Sequence, residues 1–382
     1  MKIEILKSET IKPSSPTPAS LRSFKLSVMD QLALPIYTPI VLFYPAAPAE
    51  VSEKLKKSLS ETLNHFYPLA GRIRDSIISI ECNDDGAVYV EARVHGVLLS
   101  DFLQQPDAAG LKQLLPIDYV DTVEAVTGLV LEVQANFFQC GGLAIGVRMS
   151  HTLADASTLS TFIRAWAATT RHDELTPSLL PHFETTAFRF SGGRDISVHK
   201  PWFPKPDEKV DRNEVTKRVE PPLPENSIRS YVFPSTIQST IKTTSSDGDT
   251  DADNDSLKDL VGELRMGIKE FCESKAKKFG CGDPDYAFEV VCEDLKQIAE
   301  VHRRCKEIKL FNFISWCNFK FYEADFGWSK PSWVSTVVGI PNNFVRLMET
   351  RDGGGVEAWV TLTKQEMALF ASHPQLLLFV SH

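Results

Sequence analysis

Residues 141–155 read GGLAIGVRMSHTLAD, and the fold turns on how they are read. Leu143, Ile145, Val147 and Met149 alternate with Ala144, Gly146 and Arg148, the period-2 pattern of a buried strand. From Asp155 on, Leu159, Phe162, Ala165 and Trp166 recur at helical spacing, and the helix runs to about Thr170. His151 stands where the strand hands over to the helix. Such a junction holds an imidazole rigidly at the edge of a core with one nitrogen facing a cavity. Asp155 follows four residues later and shares a face with His151 if the turn is already helical. Taken alone, His-x-x-x-Asp more often marks a satisfied core histidine and a helix-starting aspartate favoured by the macrodipole. Its weight comes from the rest of the chain.

Working back from this stretch, Leu129–Phe138 pairs with Leu143–Met149 around Cys140-Gly141-Gly142. Residues 40–44, IVLFY, form a short apolar run that reads as a buried strand. Ser52 is placed to cap a helix to about Asn64, with Leu55, Leu59 and Leu63 on one face and Pro68 as its stop. Ser79–Cys82 and Ala87–Val94, joined by Asn83-Asp84-Asp85-Gly86, carry a hairpin signal. Ile3–Ile11 reads as the first strand.

Working forward, prolines 181, 201, 204, 206, 221, 222 and 224 interrupt a charged stretch, the expected interdomain crossover. Residues 243–255, TTSSDGDTDADND, are acidic and poor in apolar side chains. They fail as a calcium loop, because a loop starting at Asp247 would need glycine where Ala252 stands and glutamate where Lys258 stands. A disordered loop is the expectation. Helices are expected after Ser256 and over Ala287–Ala299. Strands are expected at Lys309–Trp316, Val334–Val338 and Val356–Leu362, followed by a capping box at Thr363-x-x-Glu366.

At 382 residues the chain is long for one core, and two domains are the natural expectation. A net charge of −9 argues against nucleic acid and anionic membranes as partners, and requires a locally positive pocket for any anionic ligand. No apolar run reaches transmembrane length, and the alternating, charged N-terminus lacks a signal-peptide core. The seven cysteines include no Cys-x-x-Cys pair, so neither a disulfide framework nor a zinc site is indicated. The expectation is a cytoplasmic protein with no metal.

Two further stretches carry chemical information. Residues 66–72 read FYPLAGR, and residues 325–331 read DFGWSKP, a cluster of glycine, aromatics and proline that suits a tight, side-chain-packed loop. With LSVMDQ at 26–31, SHTLADAS at 150–157, PPLPENS at 221–227, DLVGELR at 259–265 and EAWVTL at 357–362, the chain resembles the plant BAHD acyl-CoA-dependent acyltransferases nearly end to end. Its flavour is that of the alkaloid and terpenoid O-acetyltransferase branch.

The resemblance implies an α/β fold of two chloramphenicol-acetyltransferase-like domains, with mixed sheets and flanking helices. The implied division is 1–180 as the domain carrying His-Thr-Leu-Ala-Asp, 181–224 as the Pro-rich crossover, and 225–382 as the domain carrying Asp-Phe-Gly-Trp-Ser. It implies that His151 is the general base, taking the proton of an acceptor hydroxyl that attacks an acyl-CoA thioester with no covalent enzyme intermediate. Asp155 is then structural, turned away and paired with an arginine. Asp325, Phe326, Gly327 and Trp328 shape the channel. Ser329 replaces the family's last glycine, a mild change unless that position needs positive φ. Acyl-CoA, with acetyl as the expected acyl group, is a co-substrate beside a small-molecule alcohol, and no cofactor is permanently bound. A monomer is expected.

One departure is large. Val215-Thr216-Lys217-Arg218 looks like the lead-in to a second-domain strand, yet it runs directly into Val219-Glu220-Pro221. Several dozen family residues are missing there, including a stretch that normally supplies the aspartate's arginine and part of the CoA site, so the second domain is expected to be incomplete. The competing reading is an impaired family member that acts at most as a ligand-binding or interaction protein. A hydrolase using Ser150 or Ser157 with His151 is disfavoured by the lack of a Gly-x-Ser-x-Gly elbow.

Overall fold

The computed structural model describes residues 1–26, 30, 36–48, 50–73, 79–116, 128–181, 215–219, 262–267, 269–270, 273, 293, 296, 311–337 and 343–379. Contacts divide the chain into two compact units. One comprises Met1–Phe183, Lys205–Ser230 and Phe311–His382, and the other Glu184–Pro204 and Tyr231–Leu310. Every element labelled below belongs to the first. Within the helix expected after Ser256, residues 262–267, 269 and 270 are helical, as are Glu293 and Lys296 within Ala287–Ala299; the rest of these two segments, the acidic stretch 243–255 and most of the Pro-rich crossover lie outside the described residues.

The strands in chain order are β1 (Lys2–Ile11), β2 (Ser23–Lys25), β3 (Tyr37–Tyr44), β4 (Arg72–Ile73), β5 (Ser79–Glu81), β6 (Ala87–His95), β7 (Leu131–Phe138), β8 (Leu143–Ser150), β9 (Val215–Val219), β10 (Asn312–Ser315), β11 (Trp333–Ser335), β12 (Phe344–Glu349) and β13 (Val356–Leu362). The helices named here are α1 (Val51–His65), α2 (Ala156–Thr170) and α3 (Lys364–Ala371). A six-stranded sheet runs β1-β6-β7-β8-β3-β11, a four-stranded sheet β10-β12-β13-β9 and a small sheet β2-β5-β4. The first two mix parallel and antiparallel pairs: β6–β7 and β10–β12 are parallel, and the other pairs are antiparallel.

The strand expected at 143–149 lies near the middle of the large sheet, between β7 and β3. Its odd positions Ile145, Val147 and Met149 join Val133 and Ala135 of β7 in a core completed by Leu55, Leu59 and Leu63 of α1 and Leu159, Phe162 and Trp166 of α2. Each such side chain contributes about 1.5–3 kcal/mol on burial. Trp166 is fully buried, and its indole N–H donates to the Leu55 carbonyl at 3.1 Å and to Ser58 Oγ at 3.0 Å.

The even positions carry a polar stripe. Gln134 and Asn136 donate to the carbonyls of Gln113 and Leu114 at 3.0 and 2.8 Å, and Arg148 donates to that of Pro116 at 3.3 Å. Gly146, opposite Gln134 in the register, lets this segment approach closely: a Cβ there would lie 2.2 Å from the Leu114 carbonyl oxygen.

Several expectations are corrected. Ser79–Cys82 and Ala87–Val94 are not a hairpin: β5 pairs with β2 and β4, whereas β6 pairs with β1 and β7. The turn residues are real, with Asp84 at φ 60° and Gly86 at φ 89°, but the turn passes the chain from one sheet to another. Ser52 does not cap α1. The helix starts at Val51 with no side-chain cap, and Ser52 Oγ lies 3.4 Å from the Tyr89 hydroxyl. The capping box at Thr363 and Glu366 is present at the start of α3. Residues 215–219 do form a strand, and it pairs antiparallel with β13 from Val215↔Leu362 to Val219↔Ala358.

Candidate active site

His151 follows the last residue of β8. Its backbone N–H donates to the Ile36 carbonyl at 2.8 Å, so the residue is pinned beside the start of β3. The chain then turns, with Leu153 and Ala154 both donating to the Ser150 carbonyl at 3.1 Å. The side chain is half-buried, and Nδ1 is enclosed without a hydrogen-bond partner among the described residues. Burial pushes the imidazole below its ordinary value; Asp155 opposes this and Arg346 adds to it. The ring is therefore neutral, and so able to accept a proton, at neutral pH.

Asp155 is not on a shared helical face with His151, because residues 151–155 are a turn and α2 begins at Ala156. Asp155 is the N-cap: its carboxylate accepts from the Thr158 N–H at 2.8 Å. It is exposed and forms no ion pair among the described residues. The burden of a buried, unpartnered carboxylate does not arise, since water and the first turn of α2 satisfy it.

The second motif is tied to α2 along one stripe. Ser160 donates to the Phe319 carbonyl, Arg164 pairs with Glu323 at 3.2 Å, and Arg171 donates to the Asp325 carbonyl. Positions 160, 164 and 171 fall on one helical face. Asp325 turns inward on its own loop, accepting from the Gly327 N–H at 2.8 Å. Phe326 is buried between Trp166, Tyr44 and Trp328, with centroids 5.0, 5.9 and 5.6 Å away. The Tyr44 hydroxyl donates to the Ala324 carbonyl at 2.8 Å. Gly327 has φ 100°, whereas Ser329 is not among the positive-φ residues. Serine in place of glycine at 329 is therefore conformationally mild.

The sequence reading missed Arg346 on β12 and the reach of β11 back to β3. Arg346 is buried, donates to Thr336 Oγ1 at 2.7 Å and lies over the Trp316 ring at 4.3 Å. Its one signal was the alternation within Phe344–Glu349. A serine nucleophile finds no support: Ser150 Oγ is buried with no hydrogen-bond partner among the described residues, and Ser157 is exposed on α2. Among the described residues no His, Cys, Asp and Glu cluster suits a metal, and no helix is long and apolar enough to cross a membrane.

The fold is mixed α/β, with a histidine at the strand-to-helix turn and a second, aromatic loop seated on the helix that follows. The Transferase family model matches residues 1–237 and 269–377, and the chain belongs to that family, the BAHD acyltransferases. Vinorine synthase from Rauvolfia serpentina is 31% identical over 441 aligned positions, covering 96% of each chain. Stemmadenine O-acetyltransferase from Catharanthus roseus is 33% identical over 416 positions, covering 97% of this chain and 96% of the relative. The crystal structure of vinorine synthase superposes with a TM-score of 0.69 at 30% identity, covering 100% of this chain and 99% of that one. The 441 aligned positions exceed this chain's 382 residues by 59, so vinorine synthase has at least that many residues with no counterpart here.

Proposed function

We propose that this chain transfers an acyl group, acetyl, from acyl-CoA to a hydroxyl of a plant specialised metabolite, with His151 as the general base. The observation that carries the reading is the His151 imidazole, held neutral by burial at the end of β8 and pinned through its backbone to Ile36. His151 takes the acceptor's proton as its oxygen attacks the thioester carbonyl. The tetrahedral intermediate expels the CoA thiolate, which recovers that proton from the imidazolium. A positioned base supplies roughly 10²–10⁴-fold. The remainder comes from alignment of the two substrates and stabilisation of the oxyanion. Acetyl as the acyl group and a hydroxyl as the acceptor group follow relatives such as stemmadenine O-acetyltransferase, and an alkaloid or terpenoid skeleton follows the branch that the motifs resemble.

In this reading Asp155 caps α2, and Asp325, Phe326, Gly327 and Trp328 build the wall that rests on it. The chain is a cytoplasmic monomer divided at 1–180, 181–224 and 225–382, with an internal deletion near Arg218 and Val219. The residues absent relative to vinorine synthase favour a second reading, in which the chain folds and binds ligand but transfers acyl groups poorly.

The full chain is to be incubated with acetyl-CoA and a panel of hydroxylated alkaloids and terpenoids. Acceptor-dependent thiol release with an acetylated product, lost in His151→Ala, is the expected result. Thiol release without acceptor would indicate a hydrolase. Folded protein that still binds the acceptor, with neither acyl transfer nor calorimetric CoA binding, would leave the second reading standing.

A further inference from the structure

The turn that follows β10 is built against ordinary backbone preference. Among the described residues, five non-glycine positions have positive φ, and two of them, Asn318 at 66° and Lys320 at 57°, stand two positions apart. Asparagine tolerates this conformation, whereas lysine rarely adopts it unless its surroundings impose it. The Trp316 N–H makes the last bond of β10 to β12, to the Leu347 carbonyl at 2.7 Å. Beyond it the side chain of Glu349, at the end of β12, accepts from the Asn318 N–H through Oε2 at 3.3 Å, and the Lys320 N–H also favours the carboxylate. The carbonyl between these two N–H groups, that of Phe319, accepts from Ser160 Oγ of α2. The turn is thus held on one side to β12 and on the other to α2. Ser160 stands four residues after Ala156, the first residue of α2. The same first turn is capped by Asp155, whose carboxylate accepts from the Thr158 N–H at 2.8 Å, and His151 lies in the turn leading into it.

We propose that Glu349 is a positioning residue of the His151 site. Its carboxyl oxygen holds the 317–320 turn in the left-handed conformation, and that turn fixes, through Phe319 and Ser160, the start of α2 and with it the turn that carries His151. Every step of this path except the helix itself is a hydrogen bond, the kind of contiguous contact through which two segments can be coupled. The role calls for an acceptor rather than a charge. Burial pushes the Glu349 carboxyl above its ordinary value and Glu323 adds repulsion, while the Asn318 and Lys320 N–H groups and the Lys320 charge oppose them. Glu323 is itself paired with Arg164 of α2 at 3.2 Å. The Cys317 thiol is pushed up by burial and stays neutral. Val356, opposite Glu349 on β13, is apolar, and Asp352 on the following turn accepts from Thr350 Oγ1 at 2.5 Å and the Gly354 N–H at 3.1 Å. A neutral amide oxygen at 349 would therefore satisfy the same N–H with less to lose on leaving water. The catalytic meaning of Glu349 rests on the reading of His151 as general base, but its test does not.

The test is NMR of the full-length protein selectively labelled at histidine, with the His151 resonance assigned by its loss in His151→Gln. In Glu349→Ala the His151 resonance should shift, while that of His95 on β6 stays fixed. Glu349→Gln, which keeps the acceptor oxygen and drops the charge, should leave His151 near its wild-type position. Lys320→Gly added to Glu349→Ala should return it towards that position, because glycine takes positive φ without being held. Ser160→Ala should shift it by itself, and adding Glu349→Ala should shift it little further, since both act through the Phe319 carbonyl. Ser160→Ala decides the matter if Glu349→Ala does not fold. An unmoved His151 resonance in folded Glu349→Ala, or in Ser160→Ala where that variant decides, would overturn the proposal. So would a Glu349→Gln protein displaced as far as Glu349→Ala, or a glycine at 320 that restores nothing. Acyl transfer is not the readout, so an inactive protein whose His151 resonance responds in this way would count against the proposed function and not against the role of Glu349.

Discussion

Trp166 meets Phe326 edge to face, with ring centroids 5.0 Å apart and planes at 85°. One residue lies on the helix that begins at the Asp155 cap, and the other in the second motif. The contact joins two segments separated by more than 150 residues of chain, and both rings are almost fully buried. Phe326→Ala should cost about 3–5 kcal/mol, read as a fall in the urea midpoint without a change in slope. Phe326→Leu should recover part of it. A cost near zero would mean that the loop does not rest on α2.

Within the same loop the two small residues should behave differently. Gly327 has φ 100°, and a Cβ there would lie 3.2 Å from Arg171 Cγ. Gly327→Ala should therefore destabilise by about 1 kcal/mol or more. Ser329→Gly should change stability by only a few tenths of a kcal/mol, because position 329 does not have positive φ. Thermal unfolding of the two variants side by side checks the contrast.

These contrasts trace what was legible in the sequence. Strong local periodicity identified β8 and α2 around His151, and Thr363-x-x-Glu366 marked the start of α3, because helix caps and buried faces are local properties. The pairing of strands is not local. Asn83–Gly86 has genuine turn chemistry, yet β5 and β6 go to different sheets, and nothing in either strand shows that β11 returns to β3. Asp155 was legible as a helix-starting residue but not as an exposed one. The family's arginine partner belongs to the stretch missing from this chain, and in the fold the Thr158 N–H and solvent suffice. Arg346 was missed because a single arginine in an alternating strand ordinarily faces water, and only tertiary packing puts it among Trp316 and Phe344.

Asp155 therefore lends itself to a test by paired substitution. As an N-cap it should be replaced by asparagine at almost no cost, since both are strong capping residues, whereas alanine should cost about 1 kcal/mol. If a charged partner were essential, Asp155→Asn would be as damaging as Asp155→Ala. Equilibrium denaturation of both variants distinguishes the two roles.

The lowered proton affinity of His151 has consequences for stability as well as rate. An unfolded histidine titrates near about 6.5, and the folded one lower because of burial. Between the two values the unfolded chain holds more protons, so stability rises with pH across that window. The contribution is fully present above the ordinary value and is lost as the pH falls through the folded one. His151→Gln should flatten this part of the stability–pH curve. The acidic limb of kcat/KM, where acyl transfer is measurable, should fall below the ordinary imidazole value. A limb at or above that value would contradict a burial-shifted base.

The strand that presents His151 depends on one close approach. At Gly146 an added Cβ would meet the Leu114 carbonyl oxygen at 2.2 Å, its carbon at 3.1 Å and Leu115 Cα at 3.3 Å. All three are backbone atoms, so no flexible side chain can move aside. Gly146→Ala must push β8 and the 113–116 segment apart, weakening the Asn136 and Gln134 hydrogen bonds to that segment. Overpacking of this kind costs about 1–3 kcal/mol and occasionally more, and this contact should fall at the upper end. Gly354→Ala is the control, since its Cβ would have Asp352 Oδ2 at 3.7 Å as its nearest neighbour and should leave the melting temperature within a degree or so. The displacement should also reach His151, five residues further along the same chain, so in the histidine-labelled protein its resonance should shift in Gly146→Ala and stay fixed in Gly354→Ala. A stable Gly146→Ala protein with an unperturbed His151 resonance would show that β8 does not depend on this contact to place the imidazole.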